Sequence, residues 1–415
     1  MKKIAAILLS VLLCLSLSAC GQDSGGSGNT PAANNNGGTP ENVTLRVWGG
    51  EEDQDMLRGM IDEFIKANKN AVNLTVNLGV MSESIAKDTI LTDIEAAADV
   101  FAFANDQITD LYNAGALQQI TLDTDAVIAA NNASAVEAAT VDGKLYAYPM
   151  TADNGYFMFY DSSFFSADDV KTLDKMMEVA AAKGKKITMQ LDSGWYNYSF
   201  FKGAGFEVGL TSDGATNYCN WNAAGGTAVV QAMLDITANS GFVALKDEAF
   251  VTGIKDGSIV AGVNGTWNAG AAKEAWGDNY AACKLPTYTL DGKQVQMSSF
   301  SGYKLIGVNA FCENAGWAMR LGEWLTNYDN QVLRFKQRSQ GPSNILAAAS
   351  DAVKADPAQA AFAAQLEYAG LQIIGGNYWA PTEAFGQIVI QGNPDNIDLQ
   401  TLLDNMVEGI TAPVE

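Results

Sequence analysis

The side chains that could do chemistry in this 415-residue sequence are aromatic rings and carboxylates. The segment SGWYNYSFF, residues 193–201, holds five aromatic residues in nine positions of a chain that is 9% aromatic overall. Aromatic rings bury a large area, so they serve either the core or a platform on which a flat ligand stacks. Carboxylates accept hydrogen bonds from hydroxyl groups, and a pair of them can act as general acid and base. Composition favours the core for the aromatic cluster and leaves the second use open.

The sequence contains no histidine. Ser-His-Asp and Cys-His nucleophiles, HExxH zinc sites and histidine-ligated transition metals are therefore excluded. Beyond residue 20, Cys219, Cys283 and Cys312 lack the paired spacing of a disulfide framework or a zinc site, and one bridge among them is left open. We expect no metal and no cofactor, so carboxylate chemistry and simple binding are the functions that survive.

Residues 1–19 have the pattern of a secretory signal peptide, with two lysines ahead of an apolar run. The run is too short for a membrane span and is followed by polar sequence. Its end, LSACG at 17–21, resembles a bacterial lipobox, in which cleavage precedes Cys20 and the thiol carries a lipid. The alternative is an ordinary secretory cleavage site. Residues 20–40 then form a lipidated cysteine and a flexible tether, and we predict an extracytoplasmic protein anchored to the outer face of the cell membrane.

The chain is strongly acidic, with 25 basic and 47 acidic side chains and a formal net charge of −22. Such a charge favours solubility and opposes binding to nucleic acid, so we expect no nucleic-acid partner. The length suffices for two domains with sizeable cores.

The elements that must position these residues alternate between strands and helices. VTLRVW at 43–48 has the apolar alternation of a strand, and NLTVNLGV at 73–80 has it again. Between them, apolar residues at positions 57–65 follow the helical spacing. This βαβ unit predicts a parallel sheet, and ligands gather at the carboxyl ends of such strands. Further strands are predicted at 99–104, 144–150, 156–161, 186–191, 258–263 and 303–309, and further helices at 224–239, 315–328, 356–370 and 398–411.

Two stretches indicate where the chain could pass between two lobes. YAYPMTADN at 146–154 leads from a strand through a proline into small and polar residues, and QMSSFSGYKLIGVN at 296–309 has a similar character. The pattern alone leaves open whether both are ordinary loops of one domain.

The chain from about residue 43 to its end resembles the sugar-binding lipoproteins of ABC importers, and within them the maltose/maltodextrin-binding branch. The segments that carry the resemblance, in their order along the chain, are the lipobox and tether, RVWGG, ADVFAFANDQITDLYNAGALQQIT (98–121), VDGKLYAYPM (141–150), NGTWNAG (264–270) and LIGVNAF (305–311). The resemblance implies a two-lobe periplasmic-binding-protein fold, each lobe a mostly parallel sheet flanked by helices, joined by hinge strands. The implied lobes are 41–150 plus 298–345 and 151–297 plus 346–415.

The resemblance also implies which side chains meet the ligand in the cleft. The family has a hydroxyl-binding acid where Glu51 and Glu52 stand, although acids at a helix start are also favoured by the helix dipole. Asp106 matches a sugar-contacting acid and could instead cap the following helix. Phe103 stands where the maltose branch has a tryptophan, and Asp153 is a shorter acid than the family glutamate at its position.

The other aromatic candidates follow residues 146–154, the first stretch that could connect the two lobes. Trp267 follows a predicted strand and matches a stacking tryptophan of the family. Trp195 matches a stacking tyrosine and projects away from the other aromatics of its helix, which share core-facing sides at 100° per residue, with Tyr196 as the next candidate. Tyr378 and Trp379 lie in a predicted turn bounded by Gly and Pro, where Trp379 could replace a family platform that is Gly386 here. Tyr303 completes the candidate set.

We therefore expect a monomeric binding protein, not an enzyme, that captures an oligosaccharide, foremost a maltooligosaccharide or other α-glucan. It would close by a hinge motion and deliver the sugar to the permease subunits of an ABC importer. One alternative is a secreted glycoside hydrolase that uses two carboxylates, which the lack of histidine permits. Another is a sugar sensor or adhesin without a transport partner.

Overall fold

A computed structural model of the chain describes residues 41–211 and 216–413. The predicted signal peptide, Cys20 and the tether lie outside the described residues. The described strands are β1 Glu41–Gly49, β2 Val72–Val80, β3 Val100–Ala104, β4 Thr140–Val141, β5 Lys144–Leu145, β6 Ala147–Thr151, β7 Phe157–Asp161, β8 Lys186–Thr188, β9 Val208–Leu210, β10 Asn217–Cys219, β11 Phe242–Val243, β12 Ile259–Asn264, β13 Tyr280–Cys283, β14 Thr287–Leu290, β15 Lys293–Gln296, β16 Ser299–Ser301, β17 Lys304–Val308 and β18 Ala369–Leu371.

Helices pack against both large sheets. Those described are α1 Gln54–Asn68, α2 Ala86–Thr92, α3 Ile108–Asn113, α4 Thr124–Ala130, α5 Ala133–Ala138, α6 Leu173–Ala182, α7 Gly194–Gly203, α8 Gly226–Ala238, α9 Asp247–Lys255, α10 Ala269–Trp276, α11 Ala315–Thr326, α12 Tyr328–Arg338, α13 Ile345–Ala348, α14 Asp351–Lys354, α15 Pro357–Gln365, α16 Trp379–Ile390 and α17 Leu399–Thr411. None of the helices in these two stretches is both long and apolar enough to cross a membrane.

The first lobe is built on a five-stranded sheet in the order β2-β1-β3-β17-β6. Strand β1 pairs in parallel with β2 and β3, which confirms the predicted βαβ unit. The alternation in β1 buries Val43, Leu45 and Val47 and leaves Thr44 exposed. Helix α1 covers the sheet with the apolar face that its spacing predicts, including Met60.

The second lobe has a five-stranded sheet in the order β11-β8-β12-β7-β13. In each large sheet four strands run in one direction and one is reversed, which is β17 in the first lobe and β7 in the second. Both sheets are therefore mostly parallel, as the resemblance implies. The reversed strands are the ones by which the chain enters a lobe after crossing from the other.

The crossings occur in the two stretches that the sequence indicates. The chain leaves the first sheet at the end of β6 and enters the second at β7, and it returns between β16 and β17. A third passage follows α13, because α15 packs against β7 and β13 of the second lobe. Beside the return, β16 pairs in parallel with β18. The exact lobe boundaries given above stay a prediction.

Each lobe has its own apolar core. The first contains Leu45 and Phe101, and the second contains Phe200 and Trp221. The three cysteines Cys219, Cys283 and Cys312 are all free thiols, so no bridge forms among them.

The sequence prediction is wrong about the segment 375–385, which is not a turn. Helix α16 begins at Trp379 and continues to Ile390. Pro381 lies in its first turn, where a backbone N–H has no partner within the helix, so the missing donor costs nothing. The strand predicted at 186–191 is also shorter and ends at Thr188.

Candidate functional site

A cavity of about 500 Å³ lies between the two lobes. Its first-lobe wall is formed by segments 82–88 and 104–110 together with Glu52 and Lys304. The second-lobe wall comes from segments 190–196 and 372–383, with Asp247 and Trp267. Most of these residues follow the ends of strands or begin helices, which is where an α/β sheet presents side chains to a ligand.

Six of the predicted side chains line this cavity, and five do not. Those at the cavity are Glu52, Asp106, Trp195, Tyr196, Trp267 and Trp379. The structure therefore brings three tryptophans and two of the predicted carboxylates to one space between the lobes.

Trp267 is half-buried at the mouth of the second lobe. It follows β12, and its indole ring lies against the backbone of Gly265. A Cβ added at Gly265 would lie 1.9 Å from the ring. The indole Nε1 donates a hydrogen bond to Asp247 Oδ2 at 2.9 Å. The ammonium of Lys304, from the first lobe, lies 5.8 Å from the ring centroid. These contacts fix the orientation of the ring from both lobes.

Trp195 lies in the first turn of α7 and is half-buried. Its ring stacks on Phe300, with centroids 5.3 Å apart and planes at 25°, and meets the edge of Tyr156. The Tyr156 hydroxyl also donates to the Trp195 main-chain carbonyl at 2.7 Å. Phe300 lies on β16 and Tyr156 precedes β7, so both crossings of the chain support this ring.

Tyr196 and Trp379 contribute to the same wall in different ways. Tyr196 is almost fully buried and lies mainly in the second-lobe core, and burial raises the pKa of its hydroxyl well above the ordinary value. Trp379 is half-buried at the start of α16, with its ring perpendicular to that of Tyr378 at a centroid distance of 5.1 Å. Trp379 therefore offers a ring to the cavity, whereas Tyr196 offers a limited surface.

Asp106 has a carboxylate that is only partly hydrogen-bonded. Its Oδ1 is buried without a hydrogen-bond partner, and so is Oε1 of Gln372. Burial raises the pKa of Asp106 to about 7, although hydrogen bonds from its own backbone and from Gln372 oppose the rise. A carboxylate with this pKa is partly protonated at neutral pH, because these hydrogen bonds only partly offset the cost of burying its charge.

Asp247 accepts hydrogen bonds at both oxygens. Besides Trp267, Asn264 Nδ2 donates to its Oδ1 at 2.9 Å. Burial raises the pKa of Asp247 above the ordinary value, and these two hydrogen bonds limit the rise. Both donors are neutral, so these hydrogen bonds do not pair the carboxylate with a cation.

Two lysines of the first lobe reach the cavity, and both are paired with acids. Lys87 Nζ lies 3.1 Å from Asp110 and 3.4 Å from Asp88. Lys304 Nζ lies 3.6 Å from Glu83. Burial disfavours the charge on Lys304, but the nearby acids outweigh burial and raise the pKa of its ammonium. Lys304 is therefore a fixed cation beside the Trp267 ring.

Three of the predicted ligand contacts are wrong, because their side chains are buried away from the cavity. Phe103 is in the first-lobe core with no exposed surface, because β3 is covered on both faces. Asp153 is buried and accepts hydrogen bonds from the backbone N–H of Gly341 and from Gln359, so it holds the crossing segment instead. Tyr378 is fully buried, and its hydroxyl donates to the main-chain carbonyl of Gly194.

The remaining two candidates lie away from the cavity. Glu51 is exposed on the short helical turn before α1, where the helix-dipole interpretation accounts for it. Tyr303 is half-buried and packs against the first-lobe core.

The sequence reasoning missed Asp247, Lys304 and Gln372. Asp247 begins α9, so its sequence position indicates only a helix-start acid. Lys304 carried a signal, because it is a charged residue at the start of an otherwise apolar strand. Within residues 41–211 and 216–413, no group of three or more Cys, Asp or Glu side chains could hold a metal ion.

Two α/β lobes with crossing strands and an aromatic, acidic cavity between them define a two-lobe binding protein. Residues 59–361 match the family described as bacterial extracellular solute-binding protein, and the chain belongs to that family. Membership implies an extracytoplasmic location.

Individual relatives cover nearly the whole chain. A structure solved with acarbose is 34% identical, with a TM-score of 0.80, over 89% of this chain and 99% of that one. A maltodextrin-binding protein of L. casei BL23, solved without ligand, is 26% identical, with a TM-score of 0.73, over 89% of this chain and 99% of that one. The galactooligosaccharide-binding protein of Bacillus subtilis (strain 168) is 26% identical over 370 residues, which are 82% of this chain and 80% of the relative.

Proposed function

We propose that the protein captures an oligosaccharide in the cavity between its lobes, foremost a maltooligosaccharide, and delivers it to the permease of an ABC importer. The protein is a carrier in this proposal, and no bond of the sugar is broken. Attachment through a lipid on Cys20 keeps the carrier beside its permease at the outer face of the membrane.

The observation that carries the proposal is the meeting of Trp195, Trp267 and Trp379 in one cavity with Asp106 and Asp247. A sugar ring has apolar C–H faces, which stack on indole, and an edge of hydroxyls, which donate to carboxylates. A volume of about 500 Å³ is in the range of cavities that enclose small ligands. Three rings in one cavity suit a chain of several sugar units better than a single unit.

The α-glucan preference is supported by the relatives solved with acarbose and named for maltodextrin. A galactooligosaccharide is the second candidate, because the Bacillus subtilis relative named for it matches most of this chain. The two candidates differ in linkage geometry, so one titration panel distinguishes them.

The test is isothermal titration of the purified protein with maltotriose, acarbose, galactotriose, cellotriose and xylotriose. We expect heat with maltotriose and weaker binding in the variant Trp267→Ala. Binding of galactotriose alone would replace the α-glucan by the second candidate, and absence of heat with every sugar would refute oligosaccharide binding.

Two further experiments address the carrier role and the anchor. Chromatography after long incubation with the bound sugar should return it uncut, whereas shortened products would support the hydrolase alternative. Labelling of the producing cells with a fatty-acid analogue should mark the wild-type protein and not Cys20→Ala, and an unlabelled wild type would contradict lipid attachment at Cys20.

A further inference from the structure

A buried carboxylate of the first lobe organises three side chains around it. Asp53 lies just before α1 and is almost completely buried. Arg334 Nη1 donates to its Oδ2 at 2.9 Å, Arg338 Nε donates to its Oδ1 at 3.0 Å, and Gln340 donates to both oxygens. Burial disfavours the charge, but the two arginines and Lys304 outweigh it and hold the pKa of Asp53 below its ordinary value. Asp53 is therefore a fixed anion.

The guanidinium of Arg338 also reaches the second lobe. Arg338 is the last residue of α12, and its Nη2 donates to the main-chain carbonyl of Trp267 at 3.3 Å. One side chain therefore joins Asp53 of the first lobe to the loop that carries Trp267. Arg338 itself does not line the cavity.

We propose that Arg338 is a positioning residue that couples closure of the lobes to the placement of Trp267. The inference rests on the proposed function, because it gives Trp267 its role as a sugar platform. The bond to Asp53 lies within one lobe and survives any lobe motion. The bond to the Trp267 carbonyl spans the two lobes, so separation of the lobes must break it. A contact made only in the closed arrangement shifts the population towards closure.

Lys304 strengthens the same connection from a second element of the first lobe. Its ammonium lies 5.8 Å from the Trp267 ring centroid and is kept charged by nearby acids, Glu83 among them. Trp267 therefore meets two cations of the first lobe, one at its carbonyl and one at its ring. Arg338 supplies the hydrogen bond, and its planar guanidinium presents Nε to Asp53 and Nη2 to the carbonyl in one fixed geometry, which the compact ammonium of a lysine does not reproduce.

The variant Arg338→Met tests the coupling, with Lys336→Met as the matched control on the same helix, where Lys336 is exposed. Asp53 keeps Arg334 and Gln340 in the test variant, so we expect it to fold. Stopped-flow tryptophan fluorescence should show sugar dissociating about tenfold faster from Arg338→Met, a factor consistent with loss of one charge-assisted hydrogen bond. X-ray scattering without sugar should show a larger radius of gyration, and the control should match the wild type.

Arg338→Lys keeps the positive charge beside Asp53 and decides the question if the methionine variant does not fold. We expect wild-type thermal stability with dissociation several-fold faster than in the wild type. The proposal is overturned if both Arg338 variants, or the one that folds, match Lys336→Met in dissociation rate and radius of gyration. If the wild type binds no sugar, the proposed function fails separately, and an unchanged radius of gyration without sugar overturns the coupling.

Discussion

The indole N–H of Trp267 donates to the Asp247 carboxylate, with Nε1 2.9 Å from Oδ2, across 20 residues of sequence. The partner on the other oxygen is Asn264, the last residue of the strand that precedes Trp267. Asp247 thus ties the start of α9 to the strand end and to the ring. A ring held in this way is set for stacking before ligand arrives, which lowers the ordering cost of binding.

Replacement of Asp247 by Asn should loosen the ring. The Asn amide nitrogen would stand in place of one carboxylate oxygen, so either Trp267 or Asn264 would face a donor instead of an acceptor, and the charge is lost. We expect sugar affinity to fall several-fold, in line with loss of a hydrogen bond to a charged group. Titration calorimetry measures the effect, and Glu248→Gln, at the exposed neighbouring position, is the control. Equal affinities of the two variants would contradict the orienting role of Asp247.

Removal of the Trp267 ring should weaken binding more strongly. By analogy with stacking of other rings on aromatic side chains, Trp267→Ala should cost about 1–3 kcal/mol of binding free energy. The side chain is only half-buried, so thermal unfolding should shift little. A large fall in melting temperature would instead make Trp267 a core residue.

A methyl group at Gly265 should displace the same ring without removing it. Its Cβ would lie 1.9 Å from Cζ3 and 2.1 Å from Cη2 of Trp267, far below van der Waals contact. We expect Gly265→Ala to lower sugar affinity and to change the tryptophan emission of the free protein. Gly270→Ala is the control, because an added Cβ there meets nothing within 4 Å. Wild-type affinity in Gly265→Ala would show that ring placement is unimportant.

Local pattern predicted the scaffold well. The alternation of Val43, Leu45 and Val47 marks β1 because the residues between them lie on the more exposed face of the sheet, and the helical spacing marks α1. Pro381 misled the prediction of α16, since proline stops a helix in its interior but is tolerated in the first turn.

Site residues could be predicted where the sequence pattern places an aromatic side chain outside the core. Trp267 follows a strand end, and Trp195 projects away from the two core-facing pairs of its helix, so both were found. Phe103 was assigned to the ligand from its family position, and because β3 is buried on both faces, the sequence pattern could not show that its side chain lies in the core. Arg338 and Asp247 could not be found, since their roles arise from contacts 71 and 20 residues away in sequence.

Binding should depend on pH through Asp106, whose pKa is raised to about 7 by burial. Sugar hydroxyls donate to the ionised carboxylate, so binding favours the charged form. Affinity should therefore rise as pH increases through about 7, and calorimetry in buffers of different ionisation heat should detect proton release. Asp106→Asn should abolish the dependence. Affinity that falls with rising pH would show that the protonated carboxyl is the donor.

The same shift affects the free protein in the opposite direction. The folded chain takes up a proton at Asp106 near pH 7, whereas the unfolded chain does so only near its ordinary pKa of about 4. Between these values the folded state binds more protons, so this residue lowers the free energy of unfolding as pH rises from about 4 to 7. Denaturant unfolding of Asp106→Asn should lack this fall.

Trp195 and Phe200 lie five residues apart on α7 and should respond oppositely to truncation. Phe200 has no exposed surface and packs edge-on against Tyr288, so Phe200→Ala should cost about 3–5 kcal/mol of stability. Trp195 lines the cavity and rests on Phe300, so Trp195→Ala should weaken sugar binding while most of the stability is retained. Paired calorimetric titrations and thermal melts compare the two variants. A larger loss of affinity in folded Phe200→Ala than in Trp195→Ala would mean that the aromatic cluster is divided wrongly between core and cavity.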